Sequence, residues 1–266
     1  MKYCIITYHQ ADNNMFETCI ATLRKNSDCV IVVITDDVPQ ILREILTKKY
    51  NVTWVVIPPN LMRKRRAACK VIETNKYCLD LPTGSQVLVS DADIYFMKDP
   101  FTVFKKYSFF DLGLTKRHYG FRHPINGGIY YYRITSATKG FLTYWNHQTE
   151  EISWPLFLEY IESYNHKGRI PDWCIGQDFL NVLWKNPEKR PTSCDINIID
   201  VGWEYNFCLH QYTDRFINQA YKQYKKDVVA AIHLKGGTKK LLYRNDIFHD
   251  AITCHEIKCQ DWSRNR

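Results

Sequence analysis

The sequence predicts an α/β protein with a mostly parallel sheet and helices on both of its faces. Three observations carry that expectation. Short runs rich in Val and Ile alternate with helix-length amphipathic segments from residue 2 to residue 93. The resulting βαβαβαβ order is the pattern of a parallel sheet covered by crossover helices. Three of the runs also end in polar groups, at Thr7-Tyr8-His9, Thr35-Asp36-Asp37 and Ser90-Asp91-Ala92-Asp93. In open sheets of this kind ligands collect beyond the carboxyl ends of the strands.

In order along the chain, "KYCIITY" (2–8) is an apolar, β-branched first strand and "MFETCIATLRKN" (15–26) the helix after it. "CVIVVIT" (29–35) and "ILREILTKKY" (41–50) repeat the unit, and "VTWVVIP" (52–58) is the third strand. "RKRRAACKVIETNKYC" (63–78) predicts one helix and "QVLVSDAD" (86–93) the fourth strand. Beyond residue 100 the alternation loosens into aromatic-rich segments such as "GGIYYYR" and "EISWPLFLEY". There is no internal repeat, low-complexity segment or linker, so the second half is expected to complete one domain over 1–245. A C-terminal tail follows at 246–266.

At 266 residues and 45% hydrophobic content the chain can bury a full core. "MKYCIITYHQ" lacks the apolar centre of a signal peptide, and no run approaches the roughly 20 apolar residues that span a bilayer. A soluble, cytoplasmic protein is expected. The ten cysteines are scattered singly, as reduced core residues rather than a disulfide framework. Cys254 and Cys259, with His255 between them, offer a metal pair, but the spacing is loose and no second pair completes four ligands. The net charge of +8, with clusters at "RKRR" (63–66), "KQYKK" (222–226) and "KGGTKK" (235–240), suggests an anionic partner. A diphosphate-bearing cofactor, a nucleic acid and an acidic membrane surface all fit that sum.

Asp91 and Asp93, one small residue apart, can direct oxygens to a common point, which hard cations such as Mn²⁺ or Mg²⁺ require. A cation there would clamp a diphosphate and stabilise it as a leaving group. The plainer alternative is a pair of turn-capping aspartates.

The surrounding residues carry a resemblance. "VLVSDADIYFMKDPF" (87–101) resembles the metal-binding strand end of GT-A-fold glycosyltransferases, which use nucleotide-diphosphate-sugar donors. "INGGIYYYR" (125–133) is similar to the Asn-x-Gly segment of retaining members, and "IGQDFLN" (175–181) to their Asp-Gln-Asp-x-Leu-Asn pattern. "HLKGGTKK" (233–240) is similar to their His-x-x-Gly-x-x-Lys-Pro-Trp. Four ordered motifs are far more specific than any one of them. The group they resemble is that of glycogenin and the lipopolysaccharide galactosyltransferases, carbohydrate-active family 8.

The resemblance implies a role for each matching residue. Asp91 would lie near the ribose and the metal, Asp93 would be the main metal ligand, and His233 the third. The plain alternative for a lone histidine is a satisfied core residue. Gly236 and Gly237 would bring backbone amides to the phosphates and Lys239 would neutralise one. Lys240 and Leu241 stand where the family has proline and tryptophan. Asn126, Gly127 and Gly128 would lie beside the donor sugar, unless they are a simple turn. Gln177 and Asp178 would face the reacting carbon, with Gly176 in place of the family's first aspartate; Asp178 alternatively caps a helix. Arg66 or Lys70 would reach the donor phosphates or sugar, or else lie on a solvated helix face. Tyr8 and Asp36 would flank the base, and Trp203 and Asn206 the acceptor side.

The implied reaction is transfer from a nucleotide-diphosphate sugar, uridine-linked for preference, to a hydroxyl acceptor with retention and front-face attack. A saccharide is the first acceptor expected. A hydroxylated base in viral DNA is the second, with Lys222, Lys225 and Lys226 on the DNA backbone. A nonenzymatic nucleic-acid-binding module would leave the ordered motifs unexplained. A sugar-nucleotide pyrophosphorylase needs a Gly-rich loop after the first strand, and "TYHQADNNMF" has no glycine.

Overall fold

The computed structural model describes residues 1–9, 13–59, 61–116, 124–163, 174–210 and 229–235. Its first half is β1 (Lys2–Tyr8), α1 (Asn13–Asn26), β2 (Val30–Thr35), α2 (Gln40–Tyr50), β3 (Val52–Val56), α3 (Leu61–Lys64), α4 (Arg66–Leu79) and β4 (Gln86–Ser90). The second half adds β5 (Ile94–Phe96), α5 (Val103–Lys106), β6 (Leu112–Lys116), β7 (Ile125–Arg133), α6 (Ser136–Glu150), α7 (Pro155–Glu162) and α8 (Phe179–Lys185). Three further strands follow: β8 (Ile198–Asp200), β9 (Phe207–His210) and β10 (Ala231–Lys235).

The main sheet has seven strands in the order β3-β2-β1-β4-β7-β6-β8. β1 to β4 pair in parallel, as their alternation with helices predicts, and β7 enters antiparallel between β4 and β6. Each central strand is buried on both faces, so its alternate residues feed two cores. Tyr3, Ile5, Val32, Ile34, Tyr130 and Tyr132 enter one core, against α4, α6, α7 and α8. Cys4, Ile6, Ile31, Val33, Ile129 and Tyr131 enter the other, against α1 and the Phe101, Phe104 and Phe110 cluster. In the first core Phe179 is ringed by Trp145, Trp154 and Phe157, with centroids 5.3–5.9 Å away. The residue before it, Asp178, is thereby held on a rigid base.

Two expected boundaries differ. The helix expected over 63–78 is broken at Arg65, whose non-helical backbone (φ −145°, ψ 63°) separates α3 from α4. α3 is tied to the neighbouring strand end, where the Met62 amide donates to the Asp36 carboxylate at 2.8 Å. The fourth strand stops at Ser90, so Asp91 and Asp93 lie in the turn beyond it.

A second sheet, β5-β10-β9, covers that turn. β10 runs antiparallel to β5 and parallel to β9, with His233 opposite both Ile94 and Cys208. Cys4, Cys19, Cys29, Cys69, Cys78 and Cys194 are free and buried, as single scattered cysteines predict. Burial pushes the Cys29 thiol up to about 11 and the Cys194 thiol up to about 12, so both stay protonated and unreactive at neutral pH. Among the described residues no helix is long and apolar enough to cross a membrane. Residues 246–266 lie outside the described residues.

Candidate active site

The carboxyl edge of the main sheet meets the small sheet at Asp91, Asp93 and His233. The Asp91 amide donates to Gly128 O at 2.8 Å, extending the β4–β7 pairing one residue past the strand. The Leu234 amide donates to Asp93 O at 2.9 Å, which fixes β10 beside the turn. His233 consequently points Nε2 at Asp93 Oδ1, 3.2 Å away, and at Asp91 Oδ2, 3.6 Å away. One ligand atom from each residue lies within 4.8 Å of the others. Two carboxylates and an imidazole at that spacing form a donor set suited to a divalent cation such as Mn²⁺.

Gly128 is what admits the imidazole. A Cβ at this position would fall 2.0 Å from His233 Cε1 and 2.2 Å from Nδ1. A Cβ on Gly127 would meet Gln177 Cβ and Cγ at 3.1 Å. Both glycines therefore make room for protein side chains at the point where the sequence resemblance sets them beside a donor sugar.

The far side of the ring is held as firmly. His233 Nδ1 lies 3.2 Å from Asn206 Oδ1, and Asn206 Nδ2 donates to the Asn126 carbonyl at 3.3 Å. Asn206 is buried beneath the cluster, although sequence resemblance had placed it on the acceptor side. The side chain of Asn126 accepts from the Gly128 amide at 3.3 Å. Its Nδ2 is buried with no hydrogen-bond partner among the described residues.

Lys70, on α4, reaches the same point. Its Nζ donates to Asp91 Oδ1 at 2.6 Å and to Gly127 O at 3.0 Å, and sits 5.4 Å from the centre of the Tyr130 ring. Its side chain is only 14% exposed, which removes the alternative of a solvated helix face. Burial pushes the Tyr130 hydroxyl well above its ordinary range, so a neutral phenol lines the lysine. Arg66 opens α4, and its side chain lies outside the described residues.

Gln177 and Asp178 approach from a single π turn (Cys174–Asp178), a feature frequent at functional sites. Gln177 Oε1 accepts from the Gly127 amide at 3.0 Å. Asp178 is fully buried; its Oδ1 accepts from Asn181 Nδ2 at 2.7 Å, and Asn181 Oδ1 accepts from the Ile125 amide at 2.7 Å. Asp178 makes no side-chain cap bond to α8 among the described residues, so the helix-cap alternative falls. Asn181, which the sequence did not single out, joins Asp178 to the start of β7.

At the ends of β1 and β2 a second cluster forms. His9 Nδ1 lies 2.9 Å from Asp36 Oδ1 and 3.3 Å from Asp37 Oδ2. The other Asp36 oxygen accepts from the Met62 amide. The carboxylate expected beside a base is thus buried and anchors α3 to the sheet. Tyr8 is buried and stacks on Phe16, with centroids 4.0 Å apart. Gly236, Gly237, Lys239, Lys240 and Leu241 lie outside the described residues, as do Lys222, Lys225, Lys226, Cys254, His255 and Cys259.

A mostly parallel sheet with an acid–imidazole cluster and a lysine at its carboxyl edge defines an open α/β protein whose polar site lies where such sheets bind their ligands. Residues 80–241 match the nucleotide-diphospho-sugar transferase family, more than half of the chain, and the chain belongs to that family. The apo form of the glycosyltransferase GlyE of Streptococcus pneumoniae TIGR4 is 13% identical with a TM-score of 0.57, over 98% of this chain and 64% of GlyE. The chain thus spans less than two thirds of that protein's length. Mouse xyloside xylosyltransferase 1 is 10% identical with a TM-score of 0.52, over 89% of this chain and 96% of its own. A glycosyltransferase involved in glycosylating the major capsid of PBCV-1 is 12% identical with a TM-score of 0.51, over 92% of this chain and all of its own. These likenesses establish the GT-A fold. No curated protein sequence matches the chain.

Proposed function

We propose that the chain transfers a glycosyl group from a uridine-diphosphate sugar to a saccharide hydroxyl with retention, as a relative of the glycogenin and lipopolysaccharide galactosyltransferase group. The observation that carries this is the convergence of Asp91, Asp93 and His233 beside Lys70 within a nucleotide-diphospho-sugar transferase chain. Asp91, Asp93 and His233 would hold Mn²⁺ or Mg²⁺, which supplies Lewis-acid stabilisation of a departing diphosphate. Lys70 places a further positive charge at the same point, and Lys239 with the amides of Gly236 and Gly237 would complete the phosphate cradle. Arg66 would assist Lys70. Tyr8 and Asp36 shape the wall beside the base, Asp36 through α3. Six buried, unbridged cysteines among the described residues fit a reducing cytoplasm.

Asn126, Gln177 and Asp178 are the candidates for chemistry. Asn126 Nδ2 is a buried donor that a sugar hydroxyl would satisfy. Gln177 is the most exposed of the three, and Asp178 acts from behind it. An Asp178→Asn variant keeps an acceptor for Asn181, so stability should change by less than about 1 kcal/mol. Turnover should fall by at least about tenfold with donor affinity retained, because a charge near the reacting carbon acts mainly in the transition state. An unchanged rate would assign Asp178 to scaffolding of β7 alone.

The test is a thermal-shift panel of nucleotide sugars with Mn²⁺ and with chelator. It is followed by transfer of labelled donor to oligosaccharides, hydroxymethylcytosine-bearing duplex DNA and unmodified DNA. Stabilisation by a uridine-diphosphate sugar in Mn²⁺ alone and label on oligosaccharide is the expected result. Label on the modified duplex alone would replace the saccharide by DNA, and no nucleotide-sugar response would end the proposal.

A further inference from the structure

We infer that Tyr130 is a positioning residue, which holds the Lys70 ammonium at the candidate diphosphate site through the face of its ring. This rests on the metal and donor reading above. A lysine ammonium carries three N–H donors and no acceptor. Asp91 Oδ1 takes one at 2.6 Å and Gly127 O another at 3.0 Å, and among the described residues nothing accepts the third. The same nitrogen stands over the Tyr130 ring, 5.4 Å from its centre, inside the range of about 6 Å over which an aromatic face attracts a cation. The Lys70 side chain is 14% exposed and Tyr130 is 2% exposed, so the pair is largely shielded from water, where such an attraction is strongest.

The ring acts here, and the hydroxyl does not. Tyr130 Oη is buried with no hydrogen-bond partner among the described residues, so a phenylalanine would serve the lysine as well. The ring is also fixed in place. Its backbone pairs on both sides, opposite Val89 of β4 and Leu114 of β6, and its face packs beside Tyr132 and Trp145 with centroids 5.5 and 5.9 Å away. The need for such a seat follows from Asp91, which is both the countercharge of Lys70 and a candidate cation ligand. A carboxylate shared with a divalent cation holds an ammonium less strongly, and the two positive charges repel. Gly127 O and the Tyr130 face take no part in that sharing. They keep Lys70 Nζ where its remaining N–H can meet a phosphate oxygen.

The experiment replaces Tyr130 in the full chain by phenylalanine and by mono-, di- and trifluorophenylalanine, and measures uridine-diphosphate affinity by calorimetry in Mn²⁺. Fluorine drains the negative charge from the ring face and leaves its shape nearly unchanged, so the series separates attraction from core packing. Expected are wild-type affinity in Tyr130→Phe and a stepwise loss along the fluorinated series, reaching about 2- to 30-fold. In a Lys70→Met background the residual affinity should not vary along the series. Affinity that ignores fluorination overturns the inference and leaves the metal reading intact. So does an equal loss in the Lys70→Met background, or a loss already complete in Tyr130→Phe, which would assign the role to the hydroxyl. A wild-type chain that binds uridine diphosphate no better in Mn²⁺ than in chelator overturns both.

Discussion

An Asp93→Ala variant is expected to lose Mn²⁺-dependent binding of uridine diphosphate while keeping its fold. The Asp93 carboxylate is 14% exposed and lies 3.2 Å from His233 Nε2, whereas its backbone carbonyl holds the Leu234 amide. The substitution removes the first contact and keeps the second, so β10 stays docked. Asp91 cannot replace the missing ligand, because one of its oxygens is already bonded to Lys70 at 2.6 Å. A single carboxylate and an imidazole make a poor site for a hard, oxygen-preferring cation. Affinity for uridine diphosphate in Mn²⁺ should fall by more than about 100-fold, beyond what an outer partner contributes, to the level seen with chelator. Calorimetry with Mn²⁺ and with chelator measures it, and the melting temperature checks the fold. Undiminished affinity would remove Asp93 from the site.

The part of the fold that was legible is the part made by local pattern. β1 to β4 and the helices α1 and α2 announce themselves because each strand is a run of β-branched residues and each helix has one apolar stripe. The break at Arg65 was not legible, since nothing in "RKRRAACK" disfavours helix; the Met62 amide bond to Asp36 is a long-range contact. The β5-β10-β9 sheet escaped for the same reason, its β5–β10 pairing joining residues about 140 apart in the chain. The site divides likewise. Asp91 and Asp93 are readable from position at a strand end, and His233 only through its resemblance to a motif. Asn206 and Asn181 act through contacts 80 and 56 residues away, which no local pattern records. Asp36 was read correctly as a strand-end group, but its burial depends on His9 and α3.

Gly128→Ala is expected to be the most damaging small substitution in the site, and the reason is purely steric. The backbone of Gly128 lies outside the left-handed region, so alanine meets no conformational penalty of its own. Its methyl would stand 2.0 Å from His233 Cε1, well inside contact distance, and that ring is wedged by Asn206 rather than free to swing aside. Overpacking of this kind costs about 1–3 kcal/mol. It would also push Nε2 off the carboxylates, so Mn²⁺ binding should be lost along with stability. Two other glycines calibrate the result. Gly127→Ala meets the Gln177 side chain first, at 3.1 Å, and should cost less with Mn²⁺ still bound. Gly140→Ala, in α6 with nothing within 4 Å of the new Cβ, should stabilise by about 0.4–1 kcal/mol. The deciding measurement is urea unfolding of a double-mutant cycle with His233→Ala. Removing the imidazole opens the space that the methyl needs, so the double variant should be more stable than Gly128→Ala alone. Additive losses would mean that the damage at Gly128 does not pass through His233, and the account of the glycine as the seat of the imidazole would be wrong.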